Sequence, residues 1–146
     1  MTCWSNGFCE GNKGNYRRKQ FLKFSVLGLS ESLLKAMKLS GYEEATPIQE
    51  QTIPMVLDNQ DVIGQAQTGT GKTAAFGLPI IEHVDTNSAD IQALIISPTR
   101  ELAIQTQEEL YRLGKDKHAK VQVVYGGADI RRQINNLKNH PQILVG

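Results

Sequence analysis

The stretch AQTGTGKT, Ala66–Thr73, decides the fold of this 146-residue chain. A P-loop has a glycine, then four residues, then Gly-Lys followed by Ser or Thr. Ala66 stands at the first glycine position, so the strict pattern is broken at one end. Gly69 and Gly71 still allow the backbone to turn and to point successive N–H groups into one concavity. Because the loop lies between a β-type segment and a helical one, it predicts nucleotide binding.

Two side chains complete the chemistry of this loop. Lys72 can reach the β- and γ-phosphates of a nucleoside triphosphate, and the Thr73 hydroxyl can hold Mg²⁺. The positive end of the helix that starts here would attract phosphate as well. The alternative is a Gly/Thr-rich turn that carries Lys-Thr by chance, which the strand-loop-helix context disfavours. We therefore expect nucleotide binding with Lys72 and Thr73 as catalytic residues, although the motif alone does not identify the kind of NTPase.

Apolar segments alternate with helical patterns along the chain. The predicted strands are 61–66, 91–99, 121–127 and 142–146. The predicted helices are one from a Ser30 cap to Gly41, one from Thr46 with Ile48, Thr52, Met55 and Val56 on one side, and those at 71–83, 100–113 and 130–137. Strands that alternate with helices indicate an α/β fold with a parallel sheet and right-handed crossovers.

Bulk composition excludes few functions. The net charge is +1, and residues 1–20 carry a balance of +3. We interpret that basic cluster as a solvated tail rather than an RNA or membrane anchor. Cys3 and Cys9 cannot complete a zinc site by themselves, and we interpret them as incidental, reduced thiols. With no long apolar run and no signal-peptide pattern, a soluble cytoplasmic protein is expected.

The segment Thr46-Pro47-Ile48-Gln49 has the start signature of a helix. Thr46 is a hydroxyl cap, Pro47 occupies the first helical position, and Gln49 can fold back onto the cap in a capping box. The Gln49 amide could also recognise the edge of an adenine, since it has both donors and an acceptor. The residues alone leave both roles open.

Four ordered motifs carry a family resemblance: TPIQ, AQTGTGKT, PTRELA (Pro98–Ala103) and Gly126–Gly127. With them, the chain from Phe24 to Gly146 resembles the DEAD-box ATP-dependent RNA helicases, most closely the bacterial cold-shock type. The resemblance implies a P-loop NTPase lobe with a RecA-like parallel sheet, ATP and Mg²⁺ as cofactors, and RNA bound through its backbone. By resemblance only, it also points to ribosome or RNA-degradation assemblies as partners.

The same resemblance assigns residues to each ligand. It assigns ATP to Phe24, Tyr42, Thr46, Gln49, Ala66, Gln67, Thr68, Gly69, Thr70, Gly71, Lys72 and Thr73, with Mg²⁺ at Thr73. It assigns RNA to Pro98, Thr99, Arg100, Glu101, Gly126 and Gly127. Other interpretations remain open from residue type: Phe24 and Tyr42 as core aromatics, Arg100 in a surface salt bridge, and the glycine pair as a plain turn.

The expected organisation is a disordered tail at 1–20, which translated upstream sequence would explain, an adenine-recognition segment at 21–50, and a partial lobe at 51–146. The family's Asp-Glu-Ala-Asp motif and second lobe are absent from these residues. We therefore expect an N-terminal helicase fragment, inactive on its own. The alternatives are a stand-alone nucleotide- or RNA-binding module and a different P-loop NTPase, such as a DNA helicase or a transporter ATPase; Gln49 and PTRELA argue against the latter.

Overall fold

The computed structural model describes residues 22–146 as helices around a small parallel sheet. The helices are α1 (Glu31–Leu39), α2 (Pro47–Leu57), α3 (Lys72–His83), α4 (Arg100–Leu113) and α5 (Ile130–Leu137), and the strands are β1 (Ala93–Ile95), β2 (Val121–Val123) and β3 (Ile143–Val145). A short 3-10 helix spans Phe24–Val26. The predicted disordered tail and both cysteines fall outside the described residues.

The sheet has the order β1-β3-β2, and both pairings are parallel. Ile143 in the central strand is paired with Ala93 on one side and with Val121 on the other. Helix α4 packs against β2 and β3, and α3 packs against α4, so the main core lies between the sheet and these helices. The predicted α/β class with a parallel sheet is confirmed.

One predicted strand is wrong. Residues 61–66 form no strand, and within 22–146 no strand pairs with them. Ile63 is fully exposed, and Gly64 lies close to the side chain of Ile48 in α2. An apolar composition favours extended backbone, but a strand also needs a hydrogen-bonded neighbour. Here the segment runs beside a helix, so the expected four-stranded sheet has three strands in the part of the chain described.

The helix boundaries agree closely with the sequence patterns. Ser30 is the N-cap residue of α1, and its N–H and hydroxyl both donate to Oε2 of Glu82 in α3, at 3.0 and 2.9 Å. Gly41 follows α1 with φ of +83°, a conformation that favours glycine. Thr99 is the N-cap residue of α4, and its hydroxyl accepts from the N–H of Leu102 at 3.2 Å.

The buried face of α2 differs from the predicted one. The side chains inside are Gln49, Thr52 and Ile53, whereas Met55 is exposed. The sequence predicts Ile48, Thr52, Met55 and Val56 on one side, and of these four only Thr52 is buried. Polar groups can be buried when they find hydrogen-bond partners, and Gln49 finds them in the phosphate loop.

Helix α4 offers a direct test of which face supports the core. Leu110 is fully buried, whereas Leu102 on the same helix is 41% exposed. Leu110→Ala should lower the free energy of unfolding by about 2–5 kcal/mol, because it removes buried methyl groups and leaves a cavity. Leu102→Ala is the matched control and should cost under about 1 kcal/mol. Urea denaturation followed by circular dichroism measures both, and equal losses would contradict the packing described.

Candidate functional site

The phosphate loop connects to the start of α3. Gly71 is the N-cap residue with φ of +79°, and Lys72 and Thr73 form the first turn of the helix. Within residues 22–146, no backbone N–H from Gly71 to Thr73 donates a hydrogen bond. Free N–H groups at a helix N-terminus form a concavity that suits an anion, above all a phosphate. The loop therefore fits the phosphates of a nucleotide.

The Lys72 ammonium folds back on its own loop. Its Nζ donates to the carbonyls of Ala66 and Gln67, both at 2.6 Å. The Thr70 hydroxyl donates to the same Gln67 carbonyl at 2.7 Å. These bonds hold the loop closed on itself and keep a positive charge at its centre.

The start of α2 is bonded to the loop by two side chains. The Thr46 hydroxyl donates to the Thr70 carbonyl at 2.9 Å, and Gln49 Nε2 donates to the Gly71 carbonyl at 3.1 Å. Gln49 Oε1 accepts from the N–H of Thr46 at 2.9 Å. The predicted capping box at the start of α2 is present, with Thr46 at the cap and Gln49 at the third helical position. Gln49 is only 1% exposed and serves both the helix start and the loop.

The glycine at position 71 is required for a reason beyond its dihedral angle. A Cβ atom there would overlap the Gln49 side-chain nitrogen. The backbone at Gly71 therefore packs directly against the Gln49 side chain, with no room for a side chain between them. Sequence patterns had identified both residues, but not their contact, because capping and loop motifs are local signals.

The two aromatics assigned to ATP lie together, with Phe24 in the core and Tyr42 partly buried against it. The rings of Phe24 and Tyr42 meet edge to face, with centroids 6.2 Å apart and an interplanar angle of 85°. Phe24 is 4% exposed, and the Tyr42 hydroxyl donates to Glu109 Oε1 in α4 at 3.0 Å. Tyr42 also lines a small cleft of about 160 Å³ together with Arg112. Their contact with adenine stays a prediction, and Glu109 is a partner that no motif signalled.

The residues assigned to RNA fall at the carboxyl ends of β1 and β2. The Arg100 guanidinium lies against Gly127, whose φ is +84°, so that a Cβ at Gly127 would stand 2.9 Å from an Arg100 nitrogen. The structure thus brings PTRELA and the glycine pair together. Pro98, Thr99, Glu101 and Gly126 are exposed beside them. The ion pair found among residues 22–146 is Lys117–Glu82, so Arg100 is not held by a surface salt bridge in this range.

Two negative findings apply to residues 22–146 alone. No group of three or more His, Cys, Asp or Glu residues there could hold a metal ion. No helix there is long and apolar enough to cross a membrane. For Mg²⁺, the chain offers the Thr73 hydroxyl beside the phosphate loop, and nucleotide phosphates commonly supply further ligands.

A parallel sheet flanked by helices, with a glycine-rich loop at a helix start, defines the RecA-like class of P-loop folds. The family description "DEAD/DEAH box helicase" matches residues 46–146. The chain belongs to the DEAD/DEAH box helicase family.

Several relatives are known by name. The chain is 85% identical over 125 residues to the ATP-dependent RNA helicase CshA of Limosilactobacillus reuteri, covering 86% of this chain and 25% of that protein. It is 61% identical over 125 residues to the DEAD-box ATP-dependent RNA helicase CshA of Bacillus subtilis (strain 168), covering 86% and 25%. The chain therefore spans about a quarter of the length of these curated relatives.

Solved structures show the same fold. A DEAD box protein from Methanococcus jannaschii has a TM-score of 0.80 and 43% identity, covering 85% of this chain and 34% of that chain. Dbp5 of S. cerevisiae, bound to RNA and ADP BeF3, has a TM-score of 0.72 and 34% identity, covering 85% and 31%.

Tyr42 yields a pH-dependent prediction. Burial, then the charge of Glu109 and the hydrogen bond to it, raise the pKa of Tyr42 from 10.0 to about 12. The unfolded chain releases this proton at its ordinary pKa of about 10. The stabilisation is therefore complete below that pH and is lost as the pH rises through about 12.

Ultraviolet titration of tyrosinate should show a component near pH 12 that Tyr42→Phe removes and that Glu109→Gln shifts to lower pH. Tyr111→Phe, at an exposed tyrosine, is the control and should leave this component in place. If Tyr111→Phe removed the component near pH 12 and Tyr42→Phe left it in place, the assignment of that component to Tyr42 would be contradicted.

Proposed function

We propose that this chain is the ATP- and RNA-binding part of the N-terminal lobe of an ATP-dependent RNA helicase. The observation that carries the proposal is the phosphate loop, which leads into the first turn of α3 at Gly71 and whose backbone is bonded to Gln49. The names of the similar proteins from L. reuteri and B. subtilis support the same activity.

The phosphates of ATP would bind in the loop. Lys72 now bonds to two carbonyls, and it would exchange them for β- and γ-phosphate oxygens, which attract an ammonium more strongly because they are charged. The N–H groups from Gly71 to Thr73 would donate hydrogen bonds to the remaining phosphate oxygens. Thr73 would hold Mg²⁺, which neutralises phosphate charge when it is bound.

Adenine recognition would use the bonding capacity that Gln49 retains. One N–H of its amide is given to Gly71, and its oxygen accepts from Thr46. A second N–H and a second lone pair remain, which suit the N7 acceptor and N6 amino donor of adenine. Guanine reverses this pattern at its O6, so Gln49 would favour ATP over GTP. The same amide that binds the base would thereby be linked to the loop that binds the phosphates.

RNA would bind where Arg100 meets the Gly126–Gly127 turn. Arg100 can pair with a phosphate, and the glycine backbone lets a sugar-phosphate strand approach closely. The residues around it are exposed. Contacts of this kind position a strand without reading its bases, so binding should tolerate many sequences.

The activity itself would belong to the complete protein, because the chain covers about a quarter of its relatives. There, ATP binding and hydrolysis would be coupled to local separation of short RNA duplexes. Family resemblance further suggests a cytoplasmic location and partners among ribosome or RNA-degradation assemblies.

Substitution of Gln49 tests the nucleotide site. Gln49→Glu still accepts from the Thr46 N–H but loses both amide donors, so ATP affinity should fall about tenfold, which corresponds to one good hydrogen-bond pair. GTP affinity should fall less. Isothermal titration with Mg-nucleotide in the complete protein measures both. Gln51→Glu makes the same charge change at an exposed position of α2 and should change neither. Equal losses of ATP and GTP affinity would show that Gln49 has a purely structural role.

RNA-stimulated phosphate release separates the helicase from a stand-alone binding module. The complete protein should release phosphate from ATP faster when single-stranded RNA is added, and Lys72→Ala should abolish the release because the phosphates lose their cation. The 146-residue chain alone should show no such stimulation. Stimulation by DNA equal to that by RNA would favour a DNA helicase, and release from the chain alone would overturn the expectation of an inactive fragment.

A further inference from the structure

The outer edge of strand β2 is covered by glutamine side chains. β2 lies at one end of the sheet order, and Val124 next to it bonds to Val145 in β3. Backbone groups alternate in direction along a strand, so those of Val121, Val123 and Tyr125 point away from β3. Three of their carbonyls accept from glutamine amides: Val121 from Gln107 at 3.4 Å, Val123 from Gln122 at 2.8 Å, and Tyr125 from Gln133 at 3.1 Å.

Gln133 makes more bonds than the other two. Its Nε2 donates to the Tyr125 carbonyl, and its Oε1 also accepts from the Tyr125 N–H at 2.9 Å. One side chain thus satisfies both backbone groups of one residue, as a neighbouring strand would. Gln133 lies in α5, none of whose residues is fully buried, so this pair of bonds is a specific link between α5 and the sheet.

Tyr125 directly precedes the Gly126–Gly127 turn. Gly127 has a positive φ and lies under the Arg100 guanidinium. A pair of glycines has more conformations available than any other pair, and it loses the most entropy when it is ordered. A fixed residue at the entrance of the turn therefore restricts the conformations open to both glycines, and Gly127 in turn contacts the Arg100 guanidinium.

We propose that Gln133 is a positioning residue of the RNA site: by holding the Tyr125 backbone, it fixes the Gly126–Gly127 turn against Arg100. This inference rests on the proposed RNA contact. Gln133 does not touch RNA; it orders the turn before binding, so that less entropy is lost when a strand binds.

The test compares two variants with a matched control in the complete protein. Gln133→Ala removes both bonds to Tyr125, and Gln133→Glu keeps the acceptor but loses the donor. Asn135→Ala changes an exposed residue of the same helix. Fluorescence anisotropy with a labelled single-stranded oligouridylate gives RNA affinity, titration with Mg-ATP gives nucleotide affinity, and NMR gives the amide exchange rate of Tyr125.

Gln133→Ala should weaken RNA binding about five- to tenfold, which is the effect of losing roughly one net hydrogen-bond pair. It should also speed exchange at Tyr125 and leave ATP affinity unchanged. Gln133→Glu should lie between it and the wild type, and Asn135→Ala should match the wild type. Unchanged RNA affinity in Gln133→Ala, or an equal loss of RNA and ATP affinity, would overturn the proposal. Failure of the wild type to bind RNA would instead overturn the proposed RNA site itself, so the two failures are distinguishable.

Discussion

The buried amide of Gln49 is the interaction on which the site depends. It bonds to the N–H of Thr46 on one side and to the Gly71 carbonyl on the other, and almost none of it reaches solvent. An amide buried in this way costs free energy unless its partners stay in place. The start of α2 and the phosphate loop are therefore coupled, since neither can move far without leaving a buried polar group unpaired. Gly71 makes this approach possible because it has no side chain.

Local signals in the sequence were sufficient for the helices. Thr99 before α4 and Gly41 after α1 have the roles that their residue types predict, because caps depend on atoms within a few residues. Ser30 stands at the start of α1 as predicted, but its hydroxyl bonds to Glu82 instead of capping the helix. The class of fold also followed from alternation of strands and helices. The motifs named the loop, the Arg100 segment and the glycine pair as candidates for ligand binding.

Other features depend on contacts between distant parts of the chain, and the sequence could not supply them. Residues 61–66 are apolar enough for a strand, but which segment lies beside them is a tertiary fact. The inward position of Gln49 rests on a carbonyl 22 residues away. The partner of Tyr42 on α4 is likewise remote in sequence, at a separation of 67 residues. A polar side chain can be buried where the fold supplies a hydrogen-bond partner, and the composition of a segment does not show which distant residue that partner is.

The glutamine amides along β2 also determine how this sheet can be enlarged. A strand added to an edge must find unpaired backbone groups, and along β2 three outward carbonyls and the Tyr125 N–H are already bonded to glutamine side chains. At the other edge, the backbone groups of Leu94 and Ile96 point away from β3, and within residues 22–146 no side chain bonds to them. Further strands, whether from the same polypeptide or from another, would meet the less resistance at β1. The sheet thus has a direction of growth, away from the edge at which Gln133 holds the Tyr125 backbone.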